Sequence, residues 1–405
     1  MTASQPLKRI ILAPGRERRL VAGHGWAFSN EIAKPAAPAD GKAPSPAPEA
    51  GEVVELAAST GRPLGIGFYN PNSLIAWRFL ARERVDIDAG FFRDRLQKAL
   101  DARTRLVPGE RSYRLAFGES DGLPGLVIDR YGDYLVLQVL CAGMEARLDA
   151  IREALEGLLK PAGIFLKNDH RARALEGLPS ECRVLSGEVP PAVEISEGGI
   201  RYSVPLTEGQ KTGFYFDQRE NRAYLEPFWK GRRVLDLHCY IGAFALRAAK
   251  NGAKAVFGVD SSEAAVELAR KNAKDNGLEA EFREGDAEEA LRAFAGGAKS
   301  ERPDMIHLDP PSLAPSKKHL PKALRAYVRM NSLALKVLSR GGLLATSTCS
   351  HHVSREDFVD ILRAAQAKLG RSCRLLALRG QAADHPVLLS MPETEYLNFA
   401  LIEVL

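Results

Sequence analysis

Apolar positions in this chain fall into short runs that repeatedly close on an acid. The clearest case is RVLDLHCYIGAFALRAAKNGAKAVFGVD, from Arg233 to Asp260. Val234-Leu235-Asp236 reads as a strand, Tyr240 and Gly242 mark a tight turn, and a helical period runs to Ala249. A second apolar run, Ala255 to Val259, ends at Asp260. The pattern predicts a β-turn-α-β unit, and an acid roughly 20 residues beyond the turn is placed to take ribose hydroxyls.

The same alternation continues to the end of the chain. Ser262 is positioned to cap a helix from Glu263 to Asn276, stopped by Gly277. Strand Ala280–Arg283 precedes Asp286 and a helix to about Phe294, and strand Asp304–Leu308 precedes Asp309-Pro310-Pro311. Helix Pro321–Leu338, strand Leu343–Ser347, helix Glu356–Leu369 and strands Cys373–Leu378 and Tyr396–Ile402 follow. Strands interleaved with helices in this way predict an α/β fold, a seven-stranded doubly wound sheet of Rossmann-like type.

Upstream the periodicity differs. Residues 1–84 show short strands (Lys8–Leu12, Glu52–Leu56, Leu64–Tyr69, Leu74–Phe79) and one small helix, Arg16–Ala22. A Pro/Ala run at 35–50 interrupts them and reads as a surface loop. Residues 85–191 predict a central α+β domain: a helix Ala89–Thr104 capped by Asp88, three strands with a Gly132-Asp133 hairpin turn, a helix Glu145–Leu159 and a strand Gly163–Lys167. No chemistry shows there, and Cys141 reads as a core residue. A hairpin through Gly198-Gly199 (192–206) connects to a third domain, 192–405. Just ahead of its first strand, KTGFYFDQREN places Gln218 and Arg219 where polar donors could cover a cofactor.

Composition narrows the class. With 45% hydrophobic and 26% charged residues the chain reads as an ordinary globular protein. No apolar run is long enough to span a membrane, and the first residues are too polar for a signal peptide. Five scattered cysteines without C-x-x-C pairs argue against a disulfide framework or a metal site and for a reducing cytoplasm. Of the net charge of +5, residues 1–84 carry 11 Lys+Arg against 7 Asp+Glu. That excess suits an RNA-binding barrel module, with a small structural β-domain as the alternative.

The candidate chemistry lies where doubly wound sheets bind ligands, at the carboxyl ends of the strands. Asp236, Asp260, Asp286 and Asp309 are expected to line that rim, with Ser261 beside Asp260. Only Gly242 stands where a dinucleotide fingerprint would have its third glycine, so a cofactor without a pyrophosphate, S-adenosylmethionine, is favoured over NAD. Asp260 would take the ribose and Asp286 the adenine amino group. Pro310 and Pro311 stiffen the exit after Asp309, which suits holding a base edge. Ser312 in place of an aromatic disfavours methylation of an exocyclic amine. Cys349 leaves a strand expected to neighbour the one ending at Asp309. A thiolate there can add to carbon 6 of a pyrimidine and so activate carbon 5; His351 and His352 are near enough in sequence to assist.

These stretches together resemble one family. GRERRLVAGHGWAFSNEI, SYRLAFGESDGLPGLVIDRYGDYLVLQ, KTGFYFDQREN, DLHCYIGAF, VDSSEAAVELARKNAKDNGL, LDPPS, STCS and QAADHPV are similar to bacterial 23S rRNA cytosine-C5 methyltransferases of the RlmI type. The resemblance implies an N-terminal PUA domain, a central α/β domain and a class I methyltransferase domain. It implies Cys349 as nucleophile, and Asp309 with Pro310 as the turn holding the target base. Asp260 and Asp286 match the family's cofactor contacts, and Asp236, Tyr240, Gly242, Ser261, Gln218, Arg219 and Asp309 complete the candidate set. Large-subunit rRNA is the expected partner, and a homodimer is one option for the assembly. Two departures stand out: Tyr240-Ile241-Gly242-Ala243-Phe244 where the family reads Y-T-G-G-F, and Ser312 where relatives often carry Lys. Methylation of another atom, such as guanine N7, and an RNA-binding assembly factor with a vestigial cofactor site are the alternative readings.

Overall fold

The computed structural model describes residues 7–33, 47–314 and 316–405, so the Pro/Ala run falls largely outside the described residues. The chain divides into two compact units. The first comprises Met1–Val193, Pro205–Phe214 and Asp384–Thr394, and the second Glu194–Val204, Tyr215–Ala383 and Glu395–Leu405. Residues 205–214 and 384–394, which the sequence pattern puts in a third domain, thus fold with the first unit.

In the first unit β1 (Arg9–Ile11), β2 (Trp26–Ala27), β3 (Val53–Ala57), β4 (Pro63–Tyr69) and β5 (Trp77–Ala81) form a sheet in the order β1-β3-β4-β5-β2, with α1 (Arg18–Val21) between β1 and β2. β5 begins at Trp77 rather than Leu74. The Asn70 and Ser73 side chains accept from the Asn72 and Ile75 amides at 3.0 and 3.2 Å, which prolongs the turn. α2 (Ala89–Leu106) follows, its N-terminus capped by Asp88 accepting from the Phe91 amide at 2.9 Å.

A second sheet has the order β10-β9-β8-β7-β6, built from β6 (Ser112–Phe117), β7 (Leu126–Tyr131), β8 (Tyr134–Val139), β9 (Gly163–Asn168) and β10 (Glu181–Gly187). The periodicity missed β10 because it is an edge strand with most side chains in solvent. The helix expected from Glu145 to Leu159 is two, α3 (Ala142–Glu145) and α4 (Leu148–Leu159); Arg147 between them leaves helical geometry. α5 (Ala172–Leu175) precedes β10.

The hairpin β11 (Ala192–Glu197) and β12 (Ile200–Pro205) leads to α6 (Arg219–Trp229). The second unit is then the predicted doubly wound sheet: β13 (Arg233–Leu237), α7 (Ala243–Lys250), β14 (Ala255–Asp260), α8 (Glu263–Asp275), β15 (Glu281–Glu284), α9 (Ala287–Gly296), β16 (Met305–Leu308), α10 (Leu320–Val337), β17 (Leu343–Thr348), α11 (Arg355–Ala367), β18 (Cys373–Arg379) and β19 (Asn398–Val404). Its order is β15-β14-β13-β16-β17-β19-β18. β13 to β17 are parallel and β19 runs antiparallel between β17 and β18. Leu235, Leu237, Ile306, Leu308 and Leu344 bury one sheet face against Leu291 of α9, Tyr327 of α10 and Phe358 of α11. Each fully buried side chain of this kind contributes about 2 kcal/mol.

Charge, and not only apolar surface, fastens α6 and α7 to the hairpin. Glu197, 2% exposed, receives both Arg222 Nε (2.7 Å) and Nη2 (2.9 Å), Arg219 Nε at 3.2 Å and Arg247 Nη1 at 3.6 Å. Arg247 also pairs with Glu226. The Arg247 guanidinium packs directly over Gly198, whose φ of +57° favours glycine. Burial pushes the Glu197 carboxyl up, but the charges of Arg222, Arg219 and Arg247 and the Arg222 hydrogen bonds outweigh it and hold it below the ordinary value.

A carboxyl lowered on folding contributes stability above its unfolded value and loses that contribution as pH falls through the folded one. Glu197→Gln leaves buried guanidinium charge uncompensated and is expected to cost about 3 kcal/mol, read by denaturant unfolding at neutral pH. The gap between wild type and variant should close as the pH is taken below the ordinary glutamate range.

Candidate functional site

The turn after β13 is built under backbone constraint. His238 (φ +62°), Tyr240 (φ +48°) and Gly242 (φ +83°) all take left-handed conformations within five residues. A Cβ at Gly242 would meet the Phe282 ring at 3.0 Å and Ala269 at 3.3 Å, so this position needs glycine for space and for φ. Asp260, at the end of β14, fixes the turn: its Oδ2 accepts from the Tyr240 amide at 2.9 Å and its Oδ1 from the Ser262 amide at 3.0 Å. Tyr240 packs edge-on to Tyr215, ring centroids 5.6 Å apart. Ile241 is fully buried, and its carbonyl accepts from Asn272 at 3.2 Å.

The acids expected on one rim divide into two kinds. Asp236 lies inside β13, 1% exposed, with Oδ2 accepting from the Ala245 amide (3.0 Å) and Oδ1 against His307 Nδ1 (2.7 Å). It ties α7 to the sheet and is not an exposed acid at the strand exit, because a penultimate strand residue faces the helix layer. Asp260 (8% exposed) and Asp286 are at exits. Asp286 is exposed and caps α9, accepting from the Glu289 amide at 3.0 Å. Ser261 is exposed, and it is Ser262 that caps α8.

Arg219 and Gln218 point to different tasks. Arg219 turns its guanidinium to Glu197, inside the ion cluster already described. Gln218, 2% exposed, donates from Nε2 to Asp309 Oδ2 at 3.0 Å and to Ser347 Oγ at 3.1 Å. Its carbonyl accepts from Asn221 at 2.7 Å, and Asn221 is held in turn by Arg379 at 3.1 Å. One amide therefore clamps the exit of β16 to the last turn of β17.

That clamp matters because β16 and β17 are parallel neighbours, with Leu308 opposite Thr346. Asp309-Pro310-Pro311 leaves one and Cys349 the other. Pro310 is buried, Pro311 exposed, and Cys349 half-buried. Beyond them the two exits are stitched again: Ser350 Oγ lies 3.1 Å from Ser312 Oγ and 2.9 Å from the Tyr327 hydroxyl. His351 is exposed and its ring lies 5.3 Å from that of Tyr396, whose hydroxyl donates to Asp217 at 2.6 Å. The other thiols are ill suited to nucleophilic work. Burial pushes Cys141 up to about 11, pushes Cys239 far above its ordinary value together with the charges of Asp236 and Asp260, and raises Cys182 and Cys373.

Two groups escaped the sequence reading. Tyr327 occupies a core position of α10 that no spacing marks, whereas Ser350 belongs to the STCS stretch around Cys349. His238 sits beside the turn with its Nε2 buried and without a hydrogen-bond partner among the described residues. Burial lowers its imidazole even though Asp260, Asp236 and Asp286 pull the other way. A glycine-shaped turn, an unsatisfied ring nitrogen beside it and carboxylates at the end of β14 and after β15 fit a phosphate-free adenosine whose hydroxyls and amino group can donate. Nothing in the turn resembles a cradle for a pyrophosphate. Among the described residues no cluster of His, Cys, Asp or Glu could hold a metal ion, and no helix is long and apolar enough to cross a membrane.

Known proteins resemble this chain over nearly its whole length. Residues 10–82 match a PUA-like domain, and residues 121–367, more than half the chain, match an S-adenosylmethionine-dependent methyltransferase. A protein of Aeromonas hydrophila named "Ribosomal RNA large subunit methyltransferase I" is 40% identical over 96% of this chain and 97% of its own. One of the same name from Escherichia coli O139:H28 is 38% identical over 96% and 98%. A solved Streptococcus mutans protein described as a SAM-dependent methyltransferase superposes with a TM-score of 0.81 at 22% identity, over 98% of this chain and all of that one, which speaks for the fold. By these matches and by its seven-stranded sheet the chain belongs to the S-adenosylmethionine-dependent methyltransferases, in the family of the curated large-subunit rRNA methyltransferase I proteins, with a PUA-like domain at its N-terminus.

Proposed function

We propose that this protein methylates carbon 5 of a cytosine in 23S rRNA, in the cytoplasm, through a covalent bond between Cys349 and carbon 6. The observation that carries the reading is the pairing of β16 with β17, which brings a half-buried thiol and the Asp-Pro-Pro turn to adjacent strand exits. The names of the relatives support rRNA of the large subunit as substrate class.

The residues divide the work as follows. Asp260 would hold the ribose hydroxyls of S-adenosylmethionine and Asp286 its adenine amino group, with Tyr240 and Gly242 in the turn beside them. When bound, S-adenosylmethionine supplies an electrophilic methyl group. Asp309, steadied by Gln218, accepts from the cytosine amino edge, and the stiff Pro310-Pro311 exit keeps that edge in register. The Cys349 thiolate adds to carbon 6; the ring electrons displaced to carbon 5 make it the nucleophile for the methyl group. Removal of the carbon 5 proton then restores the ring double bond as the carbon–sulfur bond breaks and the thiolate departs.

Residues 1–84 act as the RNA-anchoring domain, residues 85–191 as a central domain, and 192–405 as the catalytic one, apart from Pro205–Phe214 and Asp384–Thr394, which fold with the first unit. Exposed Arg9, Arg82 and Arg84 border one hollow of about 200 Å³ on the PUA-like domain and suit phosphate contacts. The target nucleotide must leave its stack to reach the thiol.

Three outcomes test this. Incubation with labelled S-adenosylmethionine and rRNA, then digestion to nucleosides, should yield labelled 5-methylcytidine; labelled 7-methylguanosine alone would overturn the base assignment. Cys349→Ala should abolish that product while cofactor affinity, measured by calorimetry, stays within about twofold. Replacing Arg82 and Arg84 by Gln should weaken RNA binding at every sequence tested and lower the slope of log affinity against log salt by about one per arginine.

A further inference from the structure

Cys349 is flanked by two fully buried hydroxyl residues, Thr348 and Ser350, both 0% exposed. The Ser350 hydroxyl joins three parts of the fold at one point. Tyr327 of α10 approaches it at 2.9 Å, Ser312 of the Asp-Pro-Pro loop at 3.1 Å, and the Ala314 amide of the same loop donates to it at 3.4 Å. Tyr327 reaches the loop a second time, its hydroxyl accepting from the Leu313 amide at 3.4 Å. The Tyr327 ring is wholly buried, so its hydroxyl meets protein groups and no bulk water.

A hydroxyl carries one proton and accepts twice. The Leu313 and Ala314 amides occupy one acceptor site each on Tyr327 and Ser350. The contacts among Ser312, Ser350 and Tyr327 then form a directed chain, and reversing it means turning all of these hydroxyls together. Such a chain holds its members more firmly than separate bonds would.

We propose that Tyr327 and Ser350 are positioning residues that set the Cys349 thiol at a fixed distance from the Asp309–Pro311 turn. This rests on Cys349 being the nucleophile. The phenol is close enough to the thiol to feel it: burial raises the Tyr327 phenol, the Ser350 and Thr348 hydroxyls oppose that rise, and a charge on Cys349 adds to it. Without the Tyr327 hydroxyl, the half-buried Leu313 amide and the fully buried Ser350 hydroxyl each lose a partner. The Ser312 and Ala314 contacts to Ser350 remain, but they are no longer anchored to α10 by the buried phenol.

Tyr327→Phe keeps the ring in its packing and removes only the hydroxyl; Ser350→Ala removes the other end. Each is expected to lower kcat roughly ten-fold, the scale of one lost buried hydrogen bond at a reacting geometry, with the KM for RNA and the cofactor affinity within about twofold. The second readout is the pH profile of iodoacetamide alkylation at Cys349, followed on the Cys349 peptide by mass spectrometry, which should shift in both variants. An unchanged kcat and alkylation profile in a folded Tyr327→Phe protein would overturn the proposal. So would parallel losses of cofactor affinity, RNA affinity and melting temperature, which mark a merely structural role. If Cys349→Ala still methylates, it is the covalent reading beneath that fails; if Cys349→Ala is dead and Tyr327→Phe is fully active, only the positioning role fails.

Discussion

A single buried carboxylate organises the approach to the site. Glu197 gathers Arg219, Arg222 and Arg247 from two helices, and all four side chains are out of solvent. A lone carboxylate would be costly there, and so would any of the arginines alone. Their mutual dependence sets where α6 begins, because Arg219 and Arg222 sit in its first turns. Gln218 immediately precedes them and is delivered to Asp309 and Ser347 as a consequence. The electrostatics of a hairpin and the position of the Asp309 turn are thereby one problem with one solution.

Much of the catalytic unit could be read along the chain, and the reasons are local. Strands and helices from Val234 onward carry clean apolar periods, and their ends carry capping residues: Ser262, Asp286 and Gly277 do in the fold what their types suggest. The adjacency of Cys349 to Asp309 was also legible, since it follows from strand order alone. What periodicity could not supply is direction. Asp236 and Asp260 both follow apolar runs, yet one faces a helix and is spent on packing while the other stands at a strand exit. Arg219 looked like a donor for a cofactor because its partner, Glu197, lies in another element. Tyr327 was invisible for the opposite reason: a tyrosine at a core position of an amphipathic helix is what such helices contain.

The turn at His238–Gly242 shows how the site tolerates unfavourable backbone. Two non-glycine residues hold left-handed conformations, each costing of the order of 1 kcal/mol. Asp260 offsets part of that by accepting from the Tyr240 amide, and Asn272 by holding the Ile241 carbonyl. The conformation of the turn is thus held by contacts within the protein.

The first unit is discontinuous along the chain: Asp384–Thr394 belong with segments that otherwise end at Phe214. His24 of the first strands meets Glu393 at 3.2 Å, and Asp384 receives the Arg114 amide at 3.1 Å. A fragment ending at Gly187 would therefore lack the partners that residues 384–394 give to His24 and Arg114.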